Sequence, residues 1–160
     1  MALTVTRQKR LEMQGFVCHH DSDFARVAPW LRWSPALCML VAAIGTALAS
    51  PPVLVALAVA AALGAILPFH PFDLLYNHGI RHATGTQPLP ENGAPRRFAC
   101  AVGTVWLIAM AWAFSAGAMA TGYVLGGLLV LVAGIVSTTD FCIPSFIWFF
   151  TEFRERRRGS

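Results

Sequence analysis

The chain has 160 residues, 56% of them apolar and 12% charged, with a mean hydropathy of +0.59 and a formal net charge of +4. That balance excludes an ordinary soluble domain and a disordered chain, and it belongs to the membrane class. The basic surplus does not suggest nucleic acid, because the positive groups stand in short clusters beside apolar runs with no recognition fold to present them.

Residues 1–22 form a polar N-terminal arm without sustained periodicity, ahead of a membrane domain over 23–153 and a basic tail over 154–160. The arm carries "CHHDSD", Cys18 to Asp23, the densest group of potential ligands in the chain, in a spacing that matches no zinc motif. Trp30 and Trp33 follow, as amphipathic rings do at a membrane interface.

Two long blocks, from Ser34 to Phe69 and from Phe98 to Thr139, contain no Asp, Glu, Lys, Arg or His. Each is broken in its middle, the first by Ser50, Pro51 and Pro52, the second by Ser115, Ala116 and Gly117. Proline has no amide hydrogen with which to continue a helix. The pattern predicts an all-α membrane protein with four transmembrane helices arranged as two hairpins, over about 34–49, 53–68, 98–114 and 118–137. "ALAS" at Ala47 to Ser50 has the outline of a signal cleavage site, but the apolar run begins late and resumes within three residues. A retained first helix is the better reading.

Between the hairpins, "HPFDLLYNHGIRH" spaces Asp73, Asn77 and Arg81 four apart, with Phe72, Leu75, Tyr76 and Ile80 as the apolar side. This predicts a short interfacial helix over 71–82, followed by an irregular, proline-rich connector to Arg97. After helix four, "FCIPSFIWFFTEF" predicts a second interfacial segment over 145–153. Arg154, Arg156, Arg157 and Arg158 then add about 1 kcal/mol of attraction each to anionic lipid headgroups near the surface. All twelve positive charges lie outside the hairpin tips. An even number of spans therefore sets both termini and the central loop on the cytoplasmic side.

Gly122 and Gly126 form a G-x-x-x-G in helix four, suited to close packing within the bundle or between two copies. The candidate metal ligands are His19, His20, His70, His78, His82 and Asp73, all on the cytoplasmic side. His78 and His82 share a helix face, but one helix rarely supplies a full coordination sphere, and imidazole also suits an interface. Among the thiols, Cys142 in "CIPS" resembles half of a C-x-x-C motif and needs a partner such as Cys18 or Cys100, although Cys38 and Cys100 read more simply as small buried apolar residues. The charge-free spans argue against a solitary transporter.

"DFARV" before helix one, "HPFDLLYNHGIRH" after helix two, "PRRFACAVG" opening helix three and "DFCIPSFIW" after helix four together resemble a bacterial family of small four-helix integral membrane proteins catalogued as a domain of unknown function. The resemblance covers roughly Asp23 to Phe150. It implies a four-helix fold and an inner-membrane location, with no catalytic residue or cofactor to carry over, and a second cysteine in some relatives at the position of Ser145. The expected function is that of a non-enzymatic accessory or assembly factor acting through its cytoplasmic face. A thiol- or metal-dependent redox protein in sulfur or metal handling is the alternative. No cofactor is expected under the first reading, and a transition metal only under the second. The expected partners are the phospholipid bilayer and a membrane protein or second copy, and not nucleic acid.

Overall fold

Prolines and glycines set most of the element boundaries in the computed structural model, which describes residues 4–16 and 26–158, the side chains of Arg7, Phe149 and 152–158 excepted. Helix α1 is Val5–Met13, and α2 is Ala28–Ala47, entered through a tighter 3-10 segment at Ala28–Arg32. Pro51 opens α3, Pro51–Ile66, and Pro71 opens α4, Pro71–Thr84; first-turn proline gives up only an amide that no helix bond would use. Gly93 and Pro95 start α5, Ala94–Ser115; a turn with Gly117 at φ +77° leads to α6, Met119–Thr139, and α7 is Ile143–Arg158. No strand occurs among the described residues.

Helices α2, α5 and α6 are long and apolar enough to cross a membrane. The fourth expected span is different. Helix α3 has 16 residues, about 24 Å of rise against a hydrocarbon core of about 30 Å, and the chain then bends by 85° into α4. The count is therefore three crossing helices, or up to four if α3 and α4 make one broken span. Helix α5 also begins earlier than expected, at Ala94, so that Arg96 and Arg97 lie on its first turn and not in a connector.

The four long helices form a ring in the order α2, α3, α5, α6, closed by α6 against α2. Leu54, Leu57, Leu107, Met110 and Phe114 fill its centre. On the outside, Leu40, Ile44, Val59, Val105, Leu128 and Leu131 are exposed, a large unpartnered apolar surface of the kind a bilayer covers. Gly122 and Gly126 are spent inside this ring. A Cβ on Gly122 would overlap the Phe114 ring, and one on Gly126 would overlap the Thr46 side chain.

A second apolar cluster lies at the end of the ring away from the hairpin turns. The segment expected to be an aperiodic arm contributes α1, whose Leu11, with Phe16 just beyond it, packs on Leu31 and Tyr76. The end of α6 holds it there. Arg10 Nη1 donates to Thr139 O at 2.7 Å, Gln14 Nε2 donates to Asp140 O at 2.6 Å, and the Asp140 carboxylate accepts from both Nε and Nη2 of Arg32. Asp140 adopts the left-handed conformation that stops α6, at φ +56°. Three side chains thus supply four donors to carbonyl and carboxylate oxygens where a helix end leaves acceptors unsatisfied.

Gly126→Val is expected to destabilise the protein by about 1–3 kcal/mol, because the added methyls have no space against Thr46. Thr46→Ala should recover part of that loss. Chemical unfolding in detergent micelles measures both, and an equal Gly126→Val penalty with and without the Thr46 side chain would show that α2 and α6 do not approach here.

Candidate functional site

Two adjacent arginines open α5 and point in different directions, since successive helical residues are turned by about 100°. Arg97 reaches back to α3, donating from Nε to Ala65 O at 2.8 Å and from Nη2 to Ile66 O at 2.6 Å, and so satisfies carbonyls at that helix end. Arg96 turns inward. Its Nη2 lies 3.3 and 3.4 Å from the two carboxylate oxygens of Asp73, both side chains are buried, and the Phe16 ring lies 5.2 Å from the guanidinium carbon. Burial pushes the Asp73 carboxyl above its ordinary range, and Arg96 and a backbone hydrogen bond from His70 oppose that rise.

His70 immediately precedes α4 and is 2% exposed. Its Nδ1 accepts the Phe72 N–H at 3.3 Å, so the proton of the neutral ring sits on Nε2, which faces Cys38 Sγ at 3.9 Å. Gly64 makes room for the ring, because a Cβ there would overlap it. Burial, with the neighbouring Arg96 charge adding to it, holds the imidazole pKa down to about 4. His70 is therefore neutral near pH 7.

Above this polar layer a cavity of about 180 Å³ opens between α2, α3, α5 and α6. Ala61, Gly103, Trp106 and Leu129 form part of its apolar wall, and His70, Arg96 and Gln14 contribute polar groups. Cys38, Cys100 and Cys142 all line it as free thiols. Arg96 Nη1 is buried and has no partner among the described residues.

The expected site residues are dispersed by this arrangement. Cys142 lines the cavity with Cys38 and with Cys100, one of its two expected partners, while the other, Cys18, lies outside the described residues, as do His19 and His20. His78 and His82 are exposed on α4, whereas His70 and Asp73 are buried, so the four do not form one ligand set. Among the described residues no three His, Cys, Asp or Glu side chains gather closely enough to hold a metal ion. The polar stripe of α4 is covered along with most of its apolar side, where Tyr76 is buried and Phe72 and Ile80 are partly so. Asp73 and Asn77 face inward and Leu75 is 58% exposed, because the polar groups find internal partners: Arg96 for Asp73, and the Leu89 backbone for Asn77 at 2.7 Å. Ser145 is buried, its hydroxyl donating to Pro95 O at 3.1 Å. The side chains of Arg154, Arg156, Arg157 and Arg158 lie outside the description. Sequence reasoning missed Arg96 as a site residue, and the available signal was an arginine paired with another directly before an apolar run.

The family described as Domain of unknown function (DUF4395) matches residues 28–152, and the chain belongs to it. That match includes Cys38, His70, Asp73, Arg96, Cys100 and Cys142, and leaves α1 outside. No curated protein and no solved structure matches the chain.

A pH dependence follows from His70. Its folded pKa, about 4, lies below the ordinary value of 6.5, so between these the unfolded chain binds the extra proton. The stabilisation from a neutral His70 is complete above about pH 6.5, is lost as pH falls, and levels off below about 4. Thermal unfolding in detergent across that window is expected to show a smaller slope for His70→Gln than for the wild type. Identical slopes would mean that His70 titrates normally in the fold. His78→Gln with His82→Gln, both at exposed positions, should change stability by less than about 0.5 kcal/mol.

Proposed function

We propose, from its membership of this family and the geometry above, that the protein is a multi-pass protein of the bacterial inner membrane with both termini in the cytoplasm, working as a non-enzymatic accessory or assembly factor through its cytoplasmic face. In this reading α2, α3, α5 and α6 are the four spans, and α4 lies across the membrane boundary after the 85° bend. The observation that carries it is the cap. Helices α1 and α4 and the connector pack through Leu11, Tyr76 and Leu89 into their own apolar cluster, tied by Arg10, Gln14 and Arg32 to the end of α6. A folded cap at the end opposite the charge-free hairpin turns offers a fixed surface where loops alone would offer none. The positive-inside rule assigns that end to the cytoplasm.

The partners of this reading are the bilayer, with Arg154, Arg156, Arg157 and Arg158 at its headgroups, and a membrane protein or second copy recognised by the cap. Nucleic acid has no part in it, and no cofactor is needed.

One observation favours the alternative, a thiol-dependent redox protein: Cys38, Cys100 and Cys142 line one cavity. Intact-protein mass spectrometry after trapping thiols in cells separates the two. The accessory role expects all thiols reduced, and a reversible disulfide between two cavity cysteines would move the protein to the redox class. For the topology, a green fluorescent protein fused to the C-terminus should fluoresce and an alkaline phosphatase there should be inactive. An active phosphatase would overturn the orientation.

A further inference from the structure

The end of the cavity nearest the cap is stopped by the segment that ends α1. Gln14, at the C-terminus of that helix, is part of the cavity lining, beside Arg96 on α5 and Cys142 and Pro144 at the start of α7. Phe16 lies over the Arg96 guanidinium at 5.2 Å. Between them Gly15 packs on the connector, so closely that a Cβ on Gly93 would stand 2.7 Å from Gly15 O.

This segment is built as one piece. Gly15, at φ +89°, turns the chain back on itself. The Gly15 N–H donates to Glu12 O at 2.9 Å and the Phe16 N–H donates to Leu11 O at 3.1 Å. Those are the two bonds of a Schellman motif, which sets the residue after the turn against the last turn of the helix. Leu11 and Phe16 accordingly share one apolar cluster, and Gln14 is fixed between them. A force that lifts any of the three lifts the others.

The attachment of the piece is local. Its polar ties run from Arg10 to Thr139 O and from Gln14 to Asp140 O, at the very end of α6, and the ring of α2, α3, α5 and α6 closes without them. Nine residues do not make a stable helix alone in water, so α1 depends on these ties and on Leu11 and Phe16 to stay docked. A unit held by so few contacts opens at lower cost than the bundle unfolds.

We propose that α1, with its turn through Phe16, is a lid on the cap end of the cavity. Docked, it keeps water-soluble reagents from Cys38 and Cys100; it lifts as a unit while the helix ring stays folded, so its docking sets the access of such reagents to these thiols. The lid acts in this way whether the thiols take part in chemistry or are only part of the wall.

A bulky charged maleimide tests it on the full-length chain in lipid nanodiscs, where both aqueous faces meet the reagent and the assignment of the cytoplasmic side does not enter. With Cys100 as the sole thiol, through Cys18→Ser, Cys38→Ala and Cys142→Ala, labelling is expected to be at least about tenfold slower than in the chain unfolded in SDS. Arg10→Ala and Leu11→Ala weaken the docking at side chains that do not line the cavity. Each is expected to speed the labelling of Cys100 by at least about fivefold, from the loss of a charged hydrogen bond in one and of buried methyls in the other. Met110→Cys in a thiol-free chain separates lifting from unfolding, because Met110 is fully buried at the centre of the ring. That thiol should stay unlabelled even when Arg10→Ala or Leu11→Ala is added. Labelling of Cys100 as fast as in the unfolded chain, rates unmoved by both α1 substitutions, or equal acceleration at position 110 would each overturn the proposal. If the Cys100-only chain does not fold, the same comparison in the wild-type background, with labelled residues located by peptide mass spectrometry, decides.

Discussion

The buried contact between Asp73 and Arg96 is the constraint on which the lower half of the structure depends. An ion pair out of water recovers little net free energy, but losing one partner strands the other at a cost of about 3–5 kcal/mol. The pair therefore acts as a lock more than as a source of stability. It fixes the first turn of α4 to the first turn of α5, and Phe16 closes over the guanidinium from the N-terminal segment. With Arg97 tying α5 to the end of α3, two neighbouring arginines define both sides of the bend at which α3 gives way to α4.

A cavity in the middle of such a bundle needs a reason to persist. In water, the hydrophobic effect would press the surrounding helices together. In lipid that pressure is weak, and helices associate where small residues let them touch. Here the touching points are Gly122 and Gly126 on α6, near the hairpin turns, with Gly64 and His70 at the other end. Between these points Ala61, Ala99, Gly103 and Ala133 leave the wall set back from the axis. The same composition that permits close contact at the ends leaves space in between.

Much of this architecture is legible in the sequence, and what is not has a common cause. Charge-free runs broken by Pro51 and Gly117 locate the long helices, and the G-x-x-x-G of α6 does bring helices close. Periodicity shows which residues share a face of α4 but not that the polar face is covered as well as the apolar one. Asp73 and Asn77 look like a solvent stripe until their partners, Arg96 and the Leu89 backbone, are seen to come from elsewhere. The histidines scatter for the same reason: His70 precedes α4 and turns inward, whereas His78 and His82 lie on its exposed side. Helix α1 is the extreme case. Nine residues make a marginal helix in isolation, and Leu11 and Phe16 become a core only against α2 and α4.

The bond from Arg10 to Thr139 spans 129 positions of sequence, which sets an order of events during synthesis. Helix α1 precedes α6 in the chain by more than a hundred residues, yet its polar partners are the carbonyls of Thr139 and Asp140 at the end of α6. Its apolar contacts with Leu31 and Tyr76 can form as soon as α2 and α4 are made, but these hydrogen bonds must wait for α6. Those bonds complete the docking only when α6 is in place, so a chain truncated before Thr139 keeps the apolar contacts of Leu11 but holds its first helix less firmly and opens it more readily to proteases.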